Sequence, residues 1–188
     1  MRLVLWRHGH TDFNGDRRIQ GWLDTPLSAA GAAAVPAAAN AIAAAVDPDV
    51  IISSDLQRAS ATAAVLAQLL GIELRCDARL RERRMGQWEG RRVDELDPAQ
   101  WQRALTDPTF APPEGEATAE VAARMREVVD ELVPTTDCAV IVSHGGALRV
   151  LAADLLGIQE QLLRKLDNVG WAEVAHTATG WRVERWNR

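Results

Sequence analysis

Two histidines, two arginines and one glutamate stand in this chain where chemistry on a phosphate could be done: Arg7 and His8, Arg58, Glu82 and His144. Phosphoryl transfer needs cationic donors around three equatorial oxygens, a nucleophile in line with the bond that breaks, and an acid for the leaving oxygen. Arg7 and His8 follow directly on Leu3-Val4-Leu5-Trp6, an apolar run with the look of a buried strand. The pattern recurs far along the chain, where Ala139-Val140-Ile141-Val142-Ser143 leads into His144-Gly145-Gly146. Strand ends in an open α/β sheet are the usual place for a ligand, so two such histidines can meet.

The intervening elements must bring them together. An alanine-dominated helix is predicted over residues 28–46, with Ser28 as its N-cap and Pro36 as a kink or restart. Residues 49–53 read as a second strand, 54–70 as a helix that Gly71 ends, and 72–76 as an edge-like third strand. Residues 83–115 are rich in glycine, proline and arginine and read as irregular, with a helical piece around 98–105. Segments of that kind in a compact domain tend to carry function, and this one is expected to act as a lid-like insertion. Val121, Met125, Val128, Val129 and Leu132 give residues 116–133 a helical spacing. Strand 138–143 leads to a helix over 147–156 stopped by Gly157, and residues 169–186 alternate around Thr179-Gly180 as a terminal hairpin. This alternation predicts a single domain over residues 1–188, a three-layer α/β/α arrangement with a mostly parallel central sheet.

With 188 residues and 47% hydrophobic content, the chain can bury one sizeable core. Its formal charge of −5 argues against nucleic acid as the main partner, so any phosphate site must be a local basic pocket. That pocket would be built from arginine, which grips phosphate through parallel donors, since Lys165 is the only lysine. Cys76 and Cys138 lack metal-ligand spacing and read as buried free thiols. The apolar run before Arg7 is too short for a signal core or a membrane span, and the expected location is the cytoplasm.

Five segments taken together resemble the histidine phosphatase superfamily, in its phosphoglycerate mutase-like branch. They are R-H-G-H-T-D-F-N at 7–14, R-I-Q-G-W-L-D-T-P-L-S at 18–28, S-S-D-L-Q-R-A at 53–59, L-R-E-R-R-M-G-Q-W-E-G at 80–90 and V-S-H-G-G at 142–146. The resemblance covers essentially the whole chain and implies the phosphoglycerate mutase-like fold. It implies that His8 is the nucleophile and passes through a phosphohistidine, with neighbouring arginines keeping the imidazole neutral. It implies that Arg7, Arg58 and His144 clamp the phosphoryl oxygens, that Gly145 adds a backbone donor, and that Glu82 is acid and then base. Glu82 is expected to have a raised pKa through burial, with Arg81 and Arg83 pointing away from it. Asn14, Gln20 and Gly21 match positions that line the phosphate pocket in relatives. His10 is read as a rim or structural residue and His176 as a solvated strand histidine. Neither a metal nor another cofactor is implied.

A phosphatase and a mutase share this apparatus. Phosphoglycerate mutases of the family carry a longer insertion with a Trp-Arg-Arg run, whereas here the segment after Gly90 is short and reads Pro98-Ala99-Gln100-Trp101-Gln102-Arg103. The expected activity is therefore that of a phosphomonoesterase on a small-molecule phosphate ester, with a cofactor-dependent phosphoglycerate mutase, a ribazole phosphatase or a protein phosphohistidine phosphatase as the alternatives and a homodimer left open. Residues 7–14, 20–28 and the closing R-W-N look like those of glucosyl-3-phosphoglycerate phosphatases, and residues 80–90 are equally close to ribazole phosphatases. Trp22, Trp88, Trp101 and Phe110 could wall a sugar-sized pocket, although aromatics at such spacing more often pack a core.

Overall fold

The computed structural model describes residues 1–187. Strand β1 (Arg2–Arg7) is followed by a one-turn helix α1 (Asp12–Gly15), helix α2 (Ala29–Ala45), strand β2 (Val50–Ser53), helix α3 (Gln57–Leu70) and strand β3 (Leu74–Cys76). Helices α4 (Pro98–Thr106) and α5 (Thr118–Leu132), strand β4 (Cys138–Ser143), helix α6 (Gly145–Leu156) and the hairpin β5 (Trp171–Thr177) and β6 (Gly180–Arg185) complete it. The strands form one sheet in the order β3-β2-β4-β1-β5-β6. The pairs β3–β2, β2–β4 and β4–β1 are parallel, and β5 runs antiparallel to both β1 and β6. The sheet is mixed α/β and mostly parallel, as expected.

Every residue of β2 and β4 is buried because helices cover both faces of the sheet, which is why these strands read as continuous apolar runs. Leu3, Leu5, Ile52 and Ile141 face the layer of α5 and α6, while Val4, Trp6, Ile51 and Val140 face the layer of α2 and α3. Helix α2 starts at the Ser28 cap but runs unbroken through Pro36 instead of restarting there. Val35, Ala39 and Ile42 bury one face of it, and that burial offsets the lost backbone hydrogen bond. Helix α6 begins at Gly145, two residues earlier than its apolar pattern suggested, with His144 as its N-cap. Cys138 is buried as read, but Cys76 is exposed, because β3 is short and lies at the sheet edge.

Register brings the site together. Arg7 pairs with Ser143 and Ser53 with Val142, so β1, β4 and β2 end side by side. His8 N–H then donates to Ser143 O (3.0 Å) and Ser54 N–H to Val142 O (2.9 Å), which extends the ladder into the residues beyond the strands.

The chain leaving β1 packs directly on the first turn of α2. A Cβ on Gly31 would lie 2.0 Å from the carbonyl oxygen of His10, and backbone cannot yield there without moving the His8 loop. Gly31→Ala is expected to destabilise the fold by about 1–3 kcal/mol, the usual cost of overpacking. For a chain of this size that is a melting-temperature drop of several degrees, on the order of 2–4 °C per kcal/mol, readable by calorimetry. An unchanged Tm would show that the loop has slack.

Candidate active site

A cavity of about 440 Å³ opens at the C-terminal ends of β1, β4 and β2, and residues 83–115 contribute Arg83, Met85, Val93, Trp101, Ala104 and Leu105 to its lining. Of the residues singled out from sequence, Arg7, His8, Asn14 and Gln20 line it, as do Gly21, Arg58, Glu82 and Gly145. They come from the end of β1 and the residue after it, α1 and the loop beyond it, the first turn of α3, the segment after β3 and the start of α6.

His8 is almost wholly buried, and its Nδ1–H donates to the carbonyl of Gly9 at 2.6 Å. That bond fixes the tautomer, so the lone pair lies on Nε2. Burial above all, then Arg58 and Arg7, holds its pKa well below the ordinary 6.5, and the imidazole is neutral at pH 7.

Arg58 is fully buried, and burial pulls its guanidinium down to about 10. It donates from Nη1 to Leu23 O (2.7 Å), from Nη2 to Gly21 O (2.9 Å) and from Nε to Nδ1 of His144 (3.2 Å). Gly21 serves this arrangement directly: its φ is +50°, and a Cβ there would collide with the Glu89 carboxylate, whose Oε1 accepts from Trp22 N–H.

His144 lies beside His8, with ring centroids 5.0 Å apart, but stands behind the cavity wall. Since its Nδ1 accepts from Arg58, its proton sits on Nε2, 2.9 Å from Ser54 Oγ. Burial, then Arg58 and His8, keeps it neutral too. Expected as a phosphoryl clamp, it instead has both ring nitrogens engaged, by Arg58 and by Ser54.

Glu82 corrects a second expectation. Its carboxylate accepts three backbone N–H groups, from Arg83 (2.9 Å) and Ala147 (2.9 Å) on Oε1 and from Gly146 (3.0 Å) on Oε2. Burial pushes its pKa up, but Lys165, the N–H groups of Arg83 and of Gly146 in the first turn of α6, and Arg58 together outweigh burial and hold it below the usual carboxylate range. Its backbone carbonyl is pinned by Trp22 Nε1 (2.7 Å) and Arg124 Nη2 (3.0 Å). Arg81 and Arg83 point away as expected: Arg81 pairs with Asp55, and Arg83 donates to the carbonyls of Ala104, Phe110 and Glu116.

Asn14 Oδ1 accepts from Thr11 N–H in the capping box of α1, and Gln20 Oε1 accepts from Thr25 Oγ1. Both side chains thus have their oxygens engaged while they line the cavity. Among the aromatics, Trp88 and Phe110 belong to a small core under residues 83–115, and Trp101 packs on Trp88 and also faces the cavity. Trp22 lies beneath the Arg81 guanidinium instead. His10 bonds Ser28 Oγ at the α2 cap, and His176 stacks on Trp181 in the hairpin. Among the described residues, no group of three His, Cys, Asp or Glu is placed to hold a metal ion, and no helix is long and apolar enough to cross a membrane.

Sequence reasoning missed the loop before β5. It supplies Lys165 to the cavity and is tied to β1 by Asn168 Nδ2 donating to His8 O, Val169 N–H to His8 O, Trp6 Nε1 to Val169 O and Arg7 Nη1 to Leu166 O. The only signal was Lys165 itself, the one lysine in a chain that otherwise uses arginine. Arg124 was missed as well, because on a helical pattern it reads as a solvated face.

Two histidines and one arginine at adjacent strand ends, a second arginine on the first turn of α3 and a carboxylate held on a helix N-terminus define a site for chemistry on a phosphate. The chain belongs to the histidine phosphatase superfamily (branch 1), whose profile matches residues 3–188. It is 37% identical to the glucosyl-3-phosphoglycerate phosphatase of Mycobacterium tuberculosis, over 99% of this chain and 94% of that one. It is 36% identical to a protein named probable phosphoglycerate mutase GpmB from Serratia proteamaculans, over 99% and 90%. A solved mycobacterial glucosyl-3-phosphoglycerate phosphatase in complex with inorganic phosphate superposes with a TM-score of 0.90 at 36% identity, over 100% of this chain and 97% of that one.

Proposed function

We propose that this protein is a phosphomonoesterase that hydrolyses small phosphate esters through a phosphohistidine on His8. The observation that carries it is the neutral, tautomer-fixed imidazole whose Nε2 is free in the cavity that Arg7, Arg58 and Glu82 also line. Nε2 attacks phosphorus while the ester P–O bond breaks, and Glu82, protonated once the phosphate charge offsets the nearby cations, gives its proton to the leaving oxygen. Glu82 then takes a proton from water as the water oxygen attacks phosphorus. The N–P bond breaks and inorganic phosphate leaves. Arg7, Arg58, Gly145 N–H, Asn14 and Gln20 hold the phosphoryl oxygens, Gly21 fixes Arg58, and His144 acts as a positioning residue for Arg58.

The preferred substrates are sugar-linked esters of the glucosyl-3-phosphoglycerate kind. The likeness to glucosyl-3-phosphoglycerate phosphatases supports this, as does a cavity that runs past the phosphate end to Trp101, Leu105 and Val150. Residues 83–115 form the lid of one catalytic unit. The two free thiols suit a reducing, cytoplasmic setting.

A panel of phosphate esters compared by kcat/KM tests the reading. Release of inorganic phosphate from 3-phosphoglycerate derivatives or sugar-linked esters is expected, with little mutase activity. The likeness to proteins named as mutases sets the competing outcome. Efficient interconversion of 2- and 3-phosphoglycerate that depends on a bisphosphate primer would make this chain a mutase.

A further inference from the structure

We infer that Lys165 is a phosphoryl-binding residue, a cation that contacts an oxygen of the transferred group beside Arg7. This rests on the phosphatase reading above and adds a ligand to that site. The Arg58 fork is already committed in three directions, to Leu23 O, Gly21 O and His144. Arg7 gives Nη1 to Leu166 O, while its Nε is buried without a partner among the described residues. A phosphate dianion therefore meets few uncommitted cationic donors from the two arginines, although its charge calls for more than one.

Lys165 supplies the missing donor. A Cβ built on Gly145 would lie 2.3 Å from Lys165 Cε and 2.9 Å from Arg7 Nε, so the end of the lysine, the orphaned Arg7 nitrogen and the first residue of α6 converge on one spot. Gly145 has to be glycine for the lysine to lie there. The ammonium is a compact charge with three rotatable donors, able to reach an oxygen that a rigid fork pinned elsewhere cannot. Burial lowers its pKa and the attraction of Glu82 acts against that, yet Glu82 satisfies its own oxygens on backbone N–H groups. Among the described residues, Lys165 is thus not tied down as a structural ion pair. Its loop, by contrast, is fixed to β1 by the bonds from Asn168, Val169, Trp6 and Arg7, so the lysine is delivered to the cavity by a set backbone.

Lys165→Met and Lys165→Arg test this, with the equilibrium Kd of inorganic phosphate as the readout. The methionine variant is expected to bind phosphate about 10- to 100-fold more weakly, the worth of one charge-assisted hydrogen bond, with KM for esters raised in parallel. The arginine variant should recover most of that loss. Because Lys165 lies on an exposed stretch of its loop, Tm should stay near that of the wild type in both. Repeating Lys165→Met on a Glu82→Gln background separates direct contact from action through Glu82. A loss of similar size there is expected. Phosphate binding unchanged in Lys165→Met, or a loss that disappears without the Glu82 charge, overturns the inference. A wild-type protein that neither binds phosphate nor hydrolyses any ester overturns the phosphatase reading instead.

Discussion

His8→Ala is expected to abolish ester hydrolysis, with a loss on the order of 10⁴-fold or more, because a covalent step has no substitute for its nucleophile. Phosphate binding should survive within a few-fold, since Arg7 and the backbone donor at Gly145 stand on other atoms. Rapid quenching of the wild type with an activated ester should trap phosphate on His8 in a form labile to acid and stable to base. The attachment atom is also set by the structure. Nδ1–H is bonded to Gly9 O at 2.6 Å, so phosphate should be found on Nε2. Label on Ser54 or Ser143, which lie at the neighbouring strand ends, or the absence of any label during turnover, would remove His8 from the role.

Glu82→Gln should cost alkyl and sugar esters on the order of 100-fold or more in rate, within the range of general acid catalysis, because their leaving oxygens are strongly basic. The amide is not a silent replacement here. Its oxygen can keep the Arg83 and Ala147 N–H bonds, but its NH₂ is then set against Gly146 N–H, two donors facing each other. A loss common to all substrates is expected from that clash. The proton is isolated by the difference between leaving groups, since p-nitrophenolate departs as a stable anion. In single-turnover measurements of the first step, p-nitrophenyl phosphate should be hurt far less than a sugar phosphate. Equal losses for both would leave Glu82 as a residue that orders the start of α6, and the acid would have to be another group. The free carboxyl is held below the usual range, so the proposed acid role requires that it take up its proton as phosphate binds. This coupling places the charge of Arg7, Arg58 and Lys165 at the centre of the first step.

Periodicity and local chemistry were enough to locate the strands that end at Arg7 and Ser143, the Ser28 cap, the Gly71 and Gly157 stops and the terminal hairpin. These depend on short-range rules: continuous apolar runs for strands covered on both faces, side-chain caps and left-handed residues for helix ends. The family resemblance, resting on five ordered motifs, then named Arg7, His8, Arg58 and Glu82 as a set. What a sequence could not hold is how those residues face one another. Strand order and register decided that His8 and His144 stand 5.0 Å apart, and side-chain packing decided that His144 turns both nitrogens to Arg58 and Ser54. The sign of the Glu82 shift was likewise a tertiary matter. Burial alone raises a carboxyl, but the backbone N–H groups of α6 and the ammonium of Lys165 reach it from segments more than sixty residues away. The aromatics Trp88 and Phe110 went to a small core because residues 83–115 need an apolar centre of their own. Local rules speak for neighbours in the chain, whereas proton affinity and donor geometry are set by neighbours in space, and only the fold assigns those.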